Sequence, residues 1–93
     1  MNKSDLIEEL ALRANITLVA ADKIINEIFD GMAATLAAGG RIEIRGFGSF
    51  VVKEYDGYTG RNPKTGIETN VKPKKLPFFK VGKDLRERIL DNR

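Results

Sequence analysis

Cysteine, histidine and tryptophan are all missing from the 93 residues. Without thiols there is no disulfide, no thiolate zinc site and no cysteine nucleophile, and without imidazole the commonest general base is gone. A catalyst built from what remains would need carboxylates around a metal, or a Ser/Lys pair, and no spacing in the chain points to either. We therefore expect no enzymatic activity, no metal, no cofactor and no small-molecule substrate. Long hydrophobic runs are missing too. The longest, Leu18-Val19-Ala20-Ala21, is far short of a membrane span, and the start, Met1-Asn2-Lys3-Ser4-Asp5, is polar, so neither a signal peptide nor a transmembrane helix is expected. The absence of cysteine is compatible with a reducing cytoplasm.

What is present is charge, unevenly placed. Residues 1–39 carry three basic and six acidic side chains, a net of −3, whereas residues 40–93 carry thirteen basic and seven acidic, a net of +6. A mildly acidic first part joined to a basic second part fits a scaffold that presents one surface to a polyanion, although a solvated basic face is the plain alternative. A chain of 10.3 kDa is expected to form one domain spanning 1–93.

The first segment places Leu6, Leu10 and Ala14 on one helical line and Ile7 and Ala11 on the next, predicting a helix over about 3–14. Asn2 is well placed to cap it, with Asp5 as the acidic half of a capping box and Glu9–Arg13 as an i,i+4 pair. Thr17 caps a second helix, which ends at Gly39-Gly40. The apolar residues of that helix, among them Ile28, Phe29, Met32 and Leu36, cover more than one face. Together with Phe47, Phe50 and Phe79 they demand more cover than one short helix and a small sheet supply. A second copy is the economical answer, and a monomer with a few exposed apolar residues is the alternative.

The period then changes from 3.6 to 2. Arg41-Ile42-Glu43-Ile44-Arg45 alternates strictly, Gly46-Phe47-Gly48 makes a turn in which both glycines permit positive φ, and Ser49 to Tyr55 is a second strand. Residues 56–70 are polar and glycine-dotted, and Asn62-Pro63 followed by Gly66 reads as a reversal, which predicts a hairpin projecting from the body. The return through 71–81 carries Pro73 and Pro77, the mark of an edge or irregular strand. A short helix over about 83–91 closes the chain, with Leu85 and Ile89 on its apolar line and an Asp84–Arg88 pair. The order ααβββα gives an α+β fold: a helical base at 1–39, a three-stranded antiparallel sheet with its arm at 40–81, and a C-terminal helical region at 82–93.

Two stretches mimic phosphate loops and fail. Gly46-Phe47-Gly48 has Val51 where the dinucleotide fingerprint needs glycine, and in Gly60-Arg61-Asn62-Pro63-Lys64-Thr65-Gly66 a proline precedes the lysine and offers no N–H. What survives is the basic arm. From Lys53 to Lys83 there are eight basic side chains, Lys53, Arg61, Lys64, Lys72, Lys74, Lys75, Lys80 and Lys83, against three acidic ones, a net of +5. About eight residues per side reach roughly 26 Å, enough to follow a DNA groove around part of the duplex. At the tip, Arg61 and Asn62 can donate to minor-groove acceptors, and the rigid ring of Pro63 can wedge between base pairs. From local sequence alone Pro63 is first of all a turn former.

The blocks Arg41 to Phe50, Gly60 to Gly66 and Phe79-Lys80-Val81-Gly82-Lys83-Asp84-Leu85 together resemble the bacterial HU and integration host factor family over nearly the whole chain, and the first block is most similar to its integration host factor β branch. Val81 stands where that branch usually carries Pro. The resemblance implies an intertwined dimer, of two copies or with a related subunit, whose two arms embrace the minor groove of double-stranded DNA and whose tip prolines intercalate at Pro63. Arg61, Asn62 and Lys64 would flank the proline, Glu43 and Arg45 would lie at a sequence-reading element, and Gly46 would be a further DNA contact. Lys3, Ser4, Lys80, Lys83 and Arg86 would clamp phosphates, with Lys53, Lys72, Lys74 and Lys75 along the arm. It further implies a cytoplasmic, nucleoid-associated, site-selective DNA-bending protein. The alternatives are a non-specific HU-like binder, an RNA-binding protein and a purely structural helical dimer.

Overall fold

The computed structural model describes residues 1–91 as three helices and five strands: α1 (Lys3–Ala14), α2 (Leu18–Ala37), β1 (Ile42–Ile44), β2 (Gly48–Tyr55), β3 (Tyr58–Arg61), β4 (Glu68–Val71), β5 (Lys74–Val81) and α3 (Lys83–Asp91). The last two residues of the expected C-terminal region, 92 and 93, lie outside the described ones. Local chemistry fixes the first two helices. Asn2 and Asp5 form the reciprocal capping box, at 2.9 and 3.1 Å, and Asn15 in the left-handed region ends α1. Thr17 accepts from the Ala20 N–H at 3.1 Å to start α2, and Gly39 at φ +84° reverses the chain after it, as an αL residue past a helix end does.

β2 is the centre of an antiparallel sheet ordered β1-β2-β5. Pro77 therefore falls on an edge strand, where its missing N–H breaks no ladder. β3 and β4 form a separate two-stranded ribbon beyond the sheet. The expected hairpin is thus built in two stages: β2 and β5 stay paired out to Tyr55 opposite Lys74, and the ribbon resumes at Tyr58 opposite Val71. At the break, Gly57 is pressed against the return strand. A Cβ there would lie 2.7 Å from the Val71 carbonyl oxygen and 2.9 Å from the Pro73 ring.

Two local expectations are corrected. Gly46 alone in its turn has positive φ, +83°. Gly48 is needed for space, because a Cβ on it would stand 2.5 Å from the Lys80 carbonyl oxygen and 2.6 Å from the Phe79 ring. Gly48→Ala should cost about 1–3 kcal/mol through overpacking, read as a lowered midpoint in thermal unfolding. The Asp84–Arg88 pair does not form among the described residues. α3 is instead fastened at its start, where the Gly82 N–H donates to the Phe47 carbonyl at 2.8 Å and the Leu85 N–H to the Gly46 carbonyl at 3.1 Å. Two of the amides that a helix start leaves unpaired are satisfied in this way.

Within one chain the core is small: only Ala11, Ala21 and Ile25 are buried among the described residues. The accessible surface is 8070 Å², against about 5,400 Å² for a compact monomer of this mass. The radius of gyration is 19.4 Å, against about 12 Å for a compact domain of this length. The arm accounts for part of the excess. The rest is apolar: Ile28, Phe29, Phe47 and Phe79 are all exposed, with Met32, Leu36 and Phe50 half-buried. Phe79 already touches two other phenylalanines, lying 5.6 Å from Phe47 and 4.8 Å from Phe50 between ring centres. A prepared apolar surface of this kind is what one half of an obligate interface looks like before its other half is added.

Candidate nucleic-acid interface

Strand register sorts the sheet into two faces, because residues directly opposite share a side. Ile42 pairs with Phe50, Phe50 with Phe79, and Val52 with Pro77. This side is turned toward the helices, and the end of α2 from Leu36 to Gly39 borders a hollow with Val52 and Pro77. The opposite side carries Glu43 and Ser49 with Lys80, Val51 with Phe78, Lys53 with Leu76, and Tyr55 with Lys74. Four of the residues expected to contact a polyanion, Glu43, Lys53, Lys74 and Lys80, therefore share the face turned away from the helices. Lys75 does not. It pairs with Glu54 at 3.5 Å on the helix side.

At the β1 end of the outer face, Arg41, Glu43, Arg45, Gly46, Ser49 and Lys80 border one shallow hollow. Arg41 donates to Glu43 at 2.6 Å, which leaves the Arg45 guanidinium as the unpartnered cation of the three-residue alternation. Arg41 and Ser49 were not among the expected contacts. The alternation of 41, 43 and 45 on one side of a strand is the signal that reveals Arg41, and Ser49 follows only once its pairing with Glu43 is known.

Farther out, the ribbon holds Arg61 opposite Glu68, with the guanidinium 3.4 Å from the carboxylate, and Thr59 hydrogen-bonded to Asn70 at 3.2 Å. The tip is made by Asn62. Its N–H donates to the Ile67 carbonyl at 2.9 Å, its carbonyl accepts from the Gly66 N–H at 2.7 Å, and its side-chain oxygen accepts from the Lys64 N–H at 2.9 Å. Gly66 completes the reversal at φ +71°. None of these bonds involves Pro63, which is exposed in the turn, as is Ile67 at its end. Pro63 lies inside the reversal that these bonds close, where its fixed φ suits a turn, so its turn-forming role stands beside its exposed ring.

Lys72 lies between β4 and β5, and Lys83 and Arg86 lie in the first turn of α3. Lys3 and Ser4 open α1, and Ser4 borders a hollow with Glu8 and Asp22. The start of α3, which carries Lys83 and Arg86, is bonded to the Gly46–Phe47 turn beside the hollow of Arg45 and Lys80. Among the described residues no cluster of acidic side chains could hold a metal ion, and no helix is long and apolar enough to cross a membrane.

Comparison with known proteins places this architecture. A family model described as "Bacterial DNA-binding protein" matches residues 1–90. Integration host factor subunit beta of Shewanella halifaxensis is 50% identical over 90 residues, covering 96% of this chain and 95% of that one. The corresponding subunit of Shewanella loihica is 49% identical over the same shares. Among solved structures, Anabaena HU cocrystallised with DNA matches with a TM-score of 0.82 at 31% identity, over 96% of this chain and 97% of that one. HU from Thermotoga maritima matches at 0.67 and 29% identity, over 96% and 98%.

Proposed function

This chain belongs to the bacterial DNA-binding protein family, which includes HU and integration host factor, and on that premise we propose that it is an architectural protein that binds and bends double-stranded DNA. It works as a dimer, of two copies or with a related subunit, and reads its sites in the manner of integration host factor. The observation that carries this reading is a basic stretch of chain that leads from the arginine-bordered hollow, along the outer sheet face, to a projecting ribbon. Cations lie along its length and an exposed, donor-free proline ring stands at its end. The cations neutralise phosphates and steer the duplex, and the tip unstacks a base step. Unstacking costs a few kcal/mol, offset by the extra contacts that a bent duplex makes with the sheet.

In this reading Pro63 is the wedge, and Arg61, Asn62 and Lys64 hold the groove on either side of it. Glu43, Arg45 and Gly46, with Arg41, form the sequence-reading hollow. Lys3, Ser4, Lys72, Lys80, Lys83 and Arg86 grip phosphates along the flanks. Lys53 and Lys74 line the saddle, and Lys75 adds only to the general field. Such a protein acts in the cytoplasm on the nucleoid and performs no reaction of its own.

Gel-shift titrations of the purified chain on defined duplexes across a salt series test this directly. The plot of log K against log salt should fall by about 0.9 for each phosphate contacted. Affinity that is indifferent to salt, or absent both alone and with an α-type subunit, would overturn the proposal. Competition between an A/T-rich candidate site and random DNA decides the branch, since a ratio near unity would mean an HU-like, non-selective binder.

A further inference from the structure

Two adjoining hollows between α1 and α2 share Glu8 and Leu18 in their borders. Leu12 belongs to one and Val19 to the other, and after Met1 these are the most exposed large apolar side chains among the described residues, at 79% and 82%. Leu18 between them is 57% exposed. This patch sits at the start of α2, whereas Ile28 to Leu36, which call for a partner chain, occupy its second half. Of the residues expected at DNA, only Ser4 borders it. The patch is also acidic. Glu8 and Asp22 lie at its edge, neither paired with a cation among the described residues, and Arg13, next to Leu12, is already held by Glu9 at 2.6 Å. Bare apolar side chains of this kind, grouped together, mark an interaction surface, and here they lie in the part of the chain that carries a net −3.

We propose that this patch receives the arm tip of a second dimer, so that DNA-free protein associates head to tail and DNA dissolves the association by occupying the arms. The tip is the complement of the patch. Pro63 and Ile67 are exposed in the turn, Lys64 lies between them in the chain with no ion-pair partner among the described residues, and residues 53–83 around them carry a net +5. The apolar groups of the tip meet Leu12, Leu18 and Val19, and its cations meet Glu8 and Asp22. Within one chain no residue of the ribbon borders either hollow, so the tip that fills them comes from another molecule. Two patches set against each other would bring like acids together, which disfavours a symmetric contact. A tip on a patch is instead a head-to-tail contact, and with two tips and two patches on each dimer it grows without closing. One tip cannot hold a groove and a patch at once. The proposal goes beyond the architectural reading and takes from it only the dimer and the DNA-binding arm.

Sedimentation of the dimeric protein without DNA tests this. At about 50 mM salt the average mass should climb past the dimer with concentration and reach no plateau, and about 300 mM salt should weaken the association about tenfold by screening surface charges. A short duplex with room for one dimer, added in excess, should return every assembly to single dimers on DNA. Glu8→Lys and Lys64→Glu should each weaken the association about tenfold, and the two together should restore it. Val19→Ser, at an exposed position outside the expected DNA contacts, should weaken it about fivefold through lost apolar contact while DNA binding stays as in wild type. The proposal is overturned by a mass that stays at the dimer, by growth that stops at a tetramer, by association that tightens with salt, or by assemblies that persist on the short duplex. A charge-swapped pair no better than its single variants overturns it equally. Should wild-type protein fail to bind DNA, the architectural reading falls, while the concentration, salt and charge-swap results still decide the docking.

Discussion

Phe29→Asp should abolish the folded state at micromolar concentration, converting a cooperative, concentration-dependent thermal transition into a featureless one. In the single chain Phe29 is 44% exposed, and a surface change of that kind away from special features shifts stability by only about 0.5 kcal/mol. If Phe29 instead lies in the centre of a two-chain core with Ile28, Met32 and Leu36, the change removes an aromatic side chain and buries a charge, costing more than about 3–5 kcal/mol per copy. The two cases are far enough apart for one circular-dichroism melt, paired with sedimentation, to separate them. A stable, folded Phe29→Asp monomer would show that the apolar surface is not an interface. The same experiment on wild-type protein should give a midpoint that rises with concentration, whether the partner is a second copy or a related subunit supplied in excess.

The second large effect is on the shape of the DNA. Pro63→Ala should retain most of the electrostatic affinity and the whole salt slope, yet lose most of the bend in an end-to-end energy-transfer assay. The separation is clean because the tip hydrogen bonds belong to Asn62, Lys64, Gly66 and Ile67, so the reversal survives loss of the proline ring. Asn62→Ala is the complementary control. It removes the side-chain acceptor that shapes the tip and should weaken binding and bending together. An unchanged bend angle in Pro63→Ala would take that residue out of the mechanism and leave Ile67, exposed at the end of the same turn, as the apolar group at the tip.

The parts of this molecule that could be read from sequence are those decided within a few residues of chain. The capping box of Asn2 and Asp5, the Thr17 cap, the glycine after α2 and the Asn62–Gly66 reversal each depend on neighbours three or four positions away, and each forms. Pro77 announced an edge strand because its missing donor admits few other places. The division of the hairpin into two ribbons was not legible, since it depends on Gly57 meeting Pro73 across the strands. The two faces of β5 were hidden for a similar reason. Leu76-Pro77-Phe78-Phe79 is a nearly unbroken apolar run with no alternation to betray which side each residue takes, so the division between faces appears only after the register with β2 is known. Lys75 was grouped with the other lysines by charge, and pairing alone places it beside Glu54. Gly48 shows the converse error: a glycine in a glycine-rich turn invites a conformational reason, but its cause is the Phe79 ring and the Lys80 carbonyl, on a strand far along the chain.

The missing side chain at position 57 has a wider consequence. Because backbone meets ring so closely there, even a methyl group must spread the strands and redirect everything beyond them. In the proposed reading, the heading at which each arm leaves the sheet, and hence the number of base pairs between the two tips, depends on an atom that is not there. A substitution at that point would register as altered spacing between kinks and not as a weaker grip.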